Sequence, residues 1–166
     1  SNFIPFLSTH RLILDAFAYR TLSGQYLMQL IESRRKSRVA AEQVGPAGVN
    51  EADFRKLERA LEKWVEEKHF CEYDKSREQI ARELNTSKEI LHHYFVTRKG
   101  VDFKTWRTVL RIEEAKRLLL EDKDASTNII AEVAGFSDRS NFHRQFVKIV
   151  GCSPKQWRES GGNHNH

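Results

Sequence analysis

The second half of the chain carries the same pattern of residues twice, 51 positions apart. The segments 100–107 and 151–158 align without a gap, and Gly, Lys, Trp and Arg stand at the same places in both. Phe95 and Phe146 match at the same offset, at positions that would face a core if both segments were helical. The duplication therefore predicts two similar folded units on one chain, an arrangement that raises affinity when both units engage one partner.

A shift of one residue separates the two copies further upstream. Ile80-Ala81 and Ile130-Ala131 lie 50 positions apart, one fewer than the later matches. We therefore expect one extra residue between the two helices of the second copy, beside Gly135.

Apolar residues recur at spacings of three and four along almost the whole chain, whereas two-residue alternation and hairpin dipeptides are nearly absent. This pattern predicts an all-α protein with two helix-turn-helix subdomains joined by a long linker helix and preceded by an N-terminal helical arm. The predicted helices are 10–35, 51–69, 77–84, 88–98, 104–121, 127–134, 139–149 and 154–158.

The first unit has the parts of a helix-turn-helix between residues 77 and 98. Ile80, Ala81 and Leu84 fall on one face of a short helix. Asn85 tolerates the left-handed backbone that a tight turn needs, and Ser87 can cap the next helix. The polar residues left on the outer side of that helix, which can enter a DNA major groove, are Lys88, Glu89, His92, His93 and Thr97.

The second unit repeats this design with Gly135 at the turn and either Ser137 or Asp138 as the cap. Because Arg can pair bidentately with guanine and Asn with adenine, its second helix is better equipped for direct readout. The alternative is a solvated face on which the arginines pair with Asp138 or Glu132. The outer polar residues of this helix are Arg139, Ser140, Asn141, His143, Arg144 and Lys148.

The segment between the two units, Lys104–Glu121, contains no Gly or Pro. As a helix rising 1.5 Å per residue it would span roughly 27 Å. Such a strut could hold two recognition helices about one turn of DNA apart, on one face of a duplex whose successive major grooves lie roughly 34 Å from each other.

Charge and cysteine content narrow the class of protein. The formal net charge is +5, and residues 76–166 hold 16 Lys and Arg against 12 Asp and Glu, which favours a polyanionic partner. Cys71 and Cys152 supply neither a disulfide framework nor a zinc ligand set. Catalytic triads, phosphate-binding loops and metal-ligand spacings are lacking, so we predict no enzymatic activity and no cofactor or metal.

Residues 1–50 are predicted to form a helical arm and linker, because residues 45–48 read Gly-Pro-Ala-Gly, the strongest break in the sequence. The chain begins at Ser1 without Met, which is typical of a piece of a longer protein. Docking within the chain, a homodimer through residues 10–31 and attachment to an upstream segment are alternative ways to cover the apolar stripe of the arm. This stripe contains Leu12, Ala16, Tyr19, Tyr26 and Leu30.

Residues 60–159 resemble the C-terminal DNA-binding domain of the AraC/XylS transcriptional regulators. The residues that carry the resemblance are Arg111–Leu119, Ile130-Ala131, Gly135–Asp138, Ser140, Phe142, Arg144, Phe146, Gly151, Ser153-Pro154 and Trp157-Arg158. The resemblance implies a seven-helix domain, here assigned to 51–160 and followed by a flexible tail at 161–166. Such a domain binds adjacent major grooves of double-stranded DNA and contacts RNA polymerase. Residues 1–50 are too short and too helical for the β-rich effector domain common in the family, so the resemblance implies no particular small-molecule ligand.

The family pattern also implies which side chains meet the DNA. Base contacts are expected from Glu89, His92 and His93 in the first unit and from Arg139, Ser140, Asn141 and Arg144 in the second. Basic residues beside them, expected at the DNA backbone, are Lys88, Arg98, Lys99 and Lys148.

The predicted function is a sequence-specific transcriptional regulator acting in the cytoplasm. The arm is similar to juxtamembrane stretches of regulators held at a membrane, so an upstream membrane or sensor region that tethers the protein is also expected as an alternative. The competing function is a helical protein-interaction module whose outer faces bind a protein instead of DNA.

Overall fold

The computed structural model describes residues 23–41 and 48–163, and every regular element within them is helical, as predicted. A 3-10 turn, His69–Cys71, follows the second helix, and a π-helical turn, Phe95–Lys99, extends the fourth. No helix in these ranges has the length and apolar character needed to cross a membrane. The α-helices are α1 (Gly24–Ala41), α2 (Glu51–Glu66), α3 (Arg77–Glu83), α4 (Lys88–Tyr94), α5 (Phe103–Glu121), α6 (Thr127–Val133), α7 (Arg139–Val150) and α8 (Pro154–Glu159).

The two ends of the described chain differ from the predicted boundaries. Helix α1 continues to Ala41, beyond the predicted end at residue 35. The residues around and after position 35 favour a helix, and the Gly45-Pro46 break comes only later in the sequence. Residues 10–22 of the predicted arm lie outside the described residues. The predicted tail begins as an ordered helix end: the Gly161 and Gly162 amides each donate at 3.1 Å, to the carbonyls of Arg158 and Trp157.

The first unit is built around an aromatic cluster that includes the tryptophan of the repeat. Trp106 of α5 stacks on Trp64 of α2 with ring centroids 6.1 Å apart, and it meets Phe95 at 5.0 Å. Phe103 closes the cluster, 5.4 Å from Phe95. Because these rings come from α2, the end of α4 and the start of α5, they hold the linker helix against the first helix-turn-helix.

The second unit holds the other end of the linker helix through Trp157 and Arg158, which align with Trp106 and Arg107 in the repeat. The Trp157 indole N–H donates to the Lys116 carbonyl at 3.2 Å. The Arg158 guanidinium donates to the Leu119 carbonyl at 3.0 Å, and also to carbonyls of Asp122 and Ala125. Arg158 thereby satisfies carbonyl groups left open where α5 ends.

The two helix-turn-helix turns share a residue with positive φ and the hydrogen bond that follows it. Asn85 and Gly135 are both left-handed, with φ of 56° and 106°, as the sequence predicts. The amide of the following residue then donates back at 2.9 Å to the carbonyl of Ala81 in one unit and Ala131 in the other. The extra residue of the second copy is Ser137, which lies after this turn and before the helix cap.

The two units are joined at Arg111 of α5, which is 9% exposed. Its Nε donates to the Phe70 carbonyl at 2.5 Å and its Nη2 to the Glu72 carbonyl at 2.7 Å. A Cβ placed on Gly135 would fall 2.6 Å from the Cys71 carbonyl oxygen and 2.8 Å from Arg111 Nε. Burial, with the charge of Arg107 adding to it, lowers the pKa of Arg111 to about 10, so the guanidinium stays charged at neutral pH. The turn of the second unit therefore packs directly on the connection between α2 and α3.

A second polar contact supports this joint one turn further along α5. The Glu114 carboxylate is 5% exposed and accepts from Lys68 Nζ at 3.2 Å. Arg117, on the same helix, also pairs with Glu114. The linker helix is therefore fixed to the first unit beyond its aromatic end, and the placement of the second unit follows from it.

Replacing Gly135 with Ala tests whether this close approach fixes the two units. The new methyl group would overlap the Cys71 carbonyl and would also require a left-handed backbone. We expect Gly135→Ala to lower the free energy of unfolding by about 3 kcal/mol or more, measured by urea denaturation.

Gly161→Ala is the matched control, since Gly161 is also left-handed at φ 63° but a Cβ there meets no heavy atom within 4 Å. Its cost should be backbone strain alone, about 1 kcal/mol. Equal losses for the two variants would show that the Gly135 contact does not matter to the fold.

Candidate nucleic-acid interface

Helix α7 is divided into a buried apolar side and an exposed polar side. Phe142, Phe146 and Ile149 are at most 3% exposed. The exposed residues at the start and middle of the helix include four with polar side chains: Arg139, Ser140, His143 and Arg144. The apolar spacing of three and four therefore turns a set of hydrogen-bonding groups toward solvent, as predicted for a recognition helix.

The start of α7 is fixed by a side-chain cap. The Asp138 carboxylate accepts from the backbone amides of Ser140 at 2.8 Å and Asn141 at 3.3 Å. Of the two residues that the sequence leaves open as the cap, the structure selects Asp138. Arg139 is therefore the first residue of the helix, at its exposed end.

Within residues 23–41 and 48–163, the arginines of α7 have no carboxylate partner. Arg144 Nη2 donates to the Asn141 side-chain oxygen at 3.3 Å, and the same oxygen lies 3.4 Å from Gln145 Nε2. Among the described residues, neither Arg139 nor Arg144 forms an ion pair with Asp138 or Glu132, the arrangement expected of an ordinary solvated face. Their guanidinium groups are exposed and able to bind an acceptor from outside the chain.

The first unit presents fewer free groups. Glu89 and His92 of α4 are exposed, whereas His93 is partly buried and its ring centroid lies 5.8 Å from that of Phe54. The exposed pair lies on the outer side of α4, opposite the buried Leu91 and Tyr94. His93 thus contributes to the packing of α2 against α4 as well as to the surface.

All four residues expected at the DNA backbone have partners within the chain. Lys88 pairs with Glu78 at 3.2 Å, and Arg98 pairs with Glu51 while its guanidinium lies 5.1 Å from the Phe54 ring centroid. Lys148 Nζ lies 5.8 Å from the centroid of the Tyr26 ring, and Lys99 is partly buried. Exposed pairs of this kind are each worth at most about 1 kcal/mol, so a phosphate group can displace them.

A cleft of about 440 Å³ beside α7 adds residues that sequence reasoning missed. Thr127 and Asn128 at the start of α6 and Ser153 and Lys155 at the start of α8 line it, next to Arg139 and His143. A signal for it exists in the sequence, because Ser126 and Ser153 are helix caps, and Gln156 completes a capping box with Ser153. Those caps place two further helix starts at the edge of the exposed face of α7.

The titratable groups near these faces do not form a metal or thiol site. In residues 23–41 and 48–163, no three His, Cys, Asp or Glu side chains come together as a metal site would require. Cys71 and Cys152 are free thiols. Burial raises the pKa of Cys71 to about 11 and also raises the pKa of Cys152, so both are protonated at neutral pH.

Known proteins share this half of the chain. Residues 80–160 match a family model described as a helix-turn-helix domain. The virulence regulon transcriptional activator VirF of Yersinia enterocolitica is 33% identical over 101 residues, which are 61% of this chain and 36% of that protein. The arabinose operon regulatory protein of Escherichia coli is 33% identical over 79 residues, 48% of this chain and 27% of that protein. This chain therefore spans about a third of the length of these relatives.

A solved structure has the same fold. A protein of unknown function from Listeria innocua superposes with a TM-score of 0.55 at 29% identity, covering 63% of this chain and 95% of that one. The paired helix-turn-helix units, the turn and cap residues and the sequence matches agree on one assignment. Residues 80–160 are therefore a helix-turn-helix domain of the AraC/XylS type, similar to those of the transcriptional regulators that they match.

Proposed function

We propose that this protein is a transcriptional regulator that recognises a specific DNA sequence by placing α4 and α7 in two adjacent major grooves. The observation that carries the proposal is the exposed face of α7, where two arginines without carboxylate partners stand beside Ser140 and Asn141 on a helix whose other side is fully buried. A helix of this kind fits the width of a major groove, in which each base pair presents a distinct set of donors and acceptors.

The side chains of α7 suit direct readout of bases. Arg139 and Arg144 can each donate two hydrogen bonds to the O6 and N7 atoms of guanine, and Asn141 can pair with adenine. In the free protein the Asn141 oxygen accepts from Arg144, and this contact can exchange for one with a base edge. Ser140 can donate or accept and therefore adapts to either neighbour.

The first unit contributes a different kind of contact. Glu89 is an acceptor and can bind the amino group of cytosine, while His92 can donate to guanine or adenine. Because His93 also packs on Phe54, its ring has less freedom to follow a base. We therefore assign most of the sequence discrimination to α7 and a smaller share to α4.

The spacing of the two helices supports simultaneous binding. Helix α5 has 19 residues and is about 28 Å long at 1.5 Å per residue. Arg111 and the Gly135 contact hold the second unit against the first, which supports a restricted orientation of α4 relative to α7. Two recognition elements held at a fixed distance bind neighbouring grooves with little loss of freedom on association.

Contacts to phosphates would add affinity without sequence preference. Lys88, Arg98, Lys99 and Lys148 are the residues predicted for this role from the sequence. We add the cleft residues Thr127, Asn128 and Lys155, whose hydrogen-bonding side chains border the face of α7. Phosphate contacts of this kind set the register of a protein on a duplex.

The regulatory role would also require a contact with RNA polymerase, which we infer from the family alone. The relatives include a protein named as an activator of a virulence regulon and a regulator of an arabinose operon. The proposed site of action is the cytoplasm, where a bacterial chromosome is accessible. The competing function, a protein-interaction module, requires the exposed face of α7 to bind a protein surface.

Replacing Arg144 with Ala tests the proposed role of α7. After selection of a binding sequence from random DNA, Arg144→Ala should weaken binding to that sequence by about 1 to 3 kcal/mol, because one bidentate base contact is lost. Affinity for random DNA should barely change. Fluorescence anisotropy on both duplexes gives the two affinities.

Arg59→Ala is the matched control, since Arg59 is an exposed arginine on α2. This substitution removes the same charge as Arg144→Ala but away from α7. Equal losses on specific and random DNA would reject base recognition by Arg144. Wild-type affinity should also fall steeply between about 50 and 200 mM salt, as several phosphate contacts require. Failure to select any sequence, with no salt dependence, would favour the protein-interaction module.

A further inference from the structure

The start of α1 is attached to the end of the recognition helix α7. The Ser23 amide donates to the Ile149 carbonyl at 2.9 Å, and the Ser23 hydroxyl donates to the Lys148 carbonyl at 3.0 Å. The same hydroxyl oxygen accepts from the Tyr26 amide at 3.2 Å, as a helix cap does. Ser23 therefore caps α1 and satisfies two carbonyls in the last turn of α7, 125 residues away in sequence for Lys148.

Helix α1 also packs on the first unit. It lies along the π-helical turn Phe95–Lys99, which follows the recognition helix α4. Leu30 is 4% exposed and Tyr26 5% exposed, and both belong to the main hydrophobic core. Burial, with the negative charge of Asp102 adding to it, raises the pKa of the Tyr26 phenol.

Tyr26 stands where the two units meet. Lys148 of the second unit lies 5.8 Å from its ring centroid, while the helix that carries Tyr26 packs on the turn Phe95–Lys99 of the first unit. Helix α1 thus contacts the turn just beyond α4 and residues at the end of α7. Tyr26 and Leu30 are both buried within one chain. They are therefore not available as contact residues for the homodimer predicted through residues 10–31.

Docking of α1 leaves the candidate DNA-binding faces open. Arg139, Ser140 and Arg144 remain exposed on α7, and Glu89 and His92 remain exposed on α4. The contacts of α1 with α7 are made at the C-terminal end of α7, through two backbone carbonyls and the Lys148 side chain. A helix placed in this way restricts the relative movement of the two units without covering the exposed base-contacting side chains.

From these contacts we propose that α1 is a clasp that fixes the relative orientation of α4 and α7 and thereby raises affinity for a two-groove DNA site. The expected effect of α1 on DNA affinity rests on the proposed function. Its expected effect on the orientation of the two units rests on the contacts of α1 alone. When α1 is docked, less orientational freedom is lost on binding two grooves at once. When α1 is released, each unit still binds its own groove, and only the coupling between the grooves weakens.

The clasp also gives the protein a point of regulation. A pull or a competing contact applied to α1 would withdraw Ser23 and Tyr26 from the junction. Because α1 bridges both units, such an event would change the affinity for the whole site without touching a base-contacting side chain. Linked equilibria of this kind typically change affinity by about 5- to 150-fold.

The test compares the double variant Tyr26→Ala/Leu30→Ala with Met28→Ala, which changes a residue of the same helix that is 64% exposed. Spin labels at exposed positions Arg82 of α3 and Glu132 of α6, in a chain with Cys71→Ser and Cys152→Ala, report the distance between the units without DNA. The double variant should broaden the distance distribution, whereas Met28→Ala should leave it unchanged. Identical distributions for all three proteins would overturn the clasp.

The DNA measurement uses the selected two-groove sequence and a duplex that contains only the half bound by α7. The double variant should lose about 5-fold or more of its affinity for the full site and keep its affinity for the half site. Unchanged or tighter binding to the full site would show that α1 is passive or inhibitory. If the wild-type protein selects no DNA sequence, the proposed function fails, and the distance measurement still decides whether α1 orients the units.

A second pair of variants avoids disturbing the core. Ser23→Ala removes the hydroxyl contacts with Lys148 and Tyr26, whereas Ser23→Thr retains a hydroxyl group. The Ala variant should show the same broadening in weaker form, and the Thr variant should restore the narrow distribution. Should the double variant fail to fold, as judged by circular dichroism, this pair decides the proposal, and equal behaviour of Ala and Thr would contradict it.

Discussion

The arrangement of this protein depends on one buried arginine and the glycine packed against it. Arg111 reaches from the linker helix to the carbonyls of Phe70 and Glu72, where it satisfies groups that the end of a helix leaves open. A guanidinium suits this position because its planar fork can donate to two carbonyls at once. Gly135 then brings the second unit to within van der Waals distance of Cys71. Without this joint, the Lys68–Glu114 contact would still hold α5 to the first unit, but the turn of the second unit would lose its contact with Cys71.

The joint gives a physical reason for the division of each unit into a buried and an exposed side. The rings and aliphatic residues of α4 and α7 are buried in the core, so the polar residues on the other side of each helix face solvent. The exposed arginines of α7 stay hydrated in the free protein, so their charges cost little. Helix α1 adds a second connection between the units through the end of α7.

Local features of the structure follow from the sequence to a large extent. The two turns at Asn85 and Gly135, the cap of α4 at Ser87 and most helix boundaries depend on a few neighbouring residues, so periodicity and turn chemistry predict them. The contacts that orient the units do not have such a signature. Arg111 joins residues about 40 positions apart and Ser23 joins α7 across more than a hundred, and neither spacing leaves a periodic pattern. The contact between Lys148 and the Tyr26 ring is likewise not predictable from the sequence, because it depends on where α1 docks.

We propose that α4 and α7 are held at one separation and bind one face of DNA together. Measuring DNA affinity as a function of the spacing between the two halves of the selected site tests this most directly. Insertion of about five base pairs, half a helical turn, should reduce affinity to that of a single half site, because the second half then faces the opposite side of the duplex. Insertion of about ten base pairs should not restore it, since a rigid joint cannot extend by a further 34 Å or so. Recovery of full affinity at the longer spacing would contradict the account.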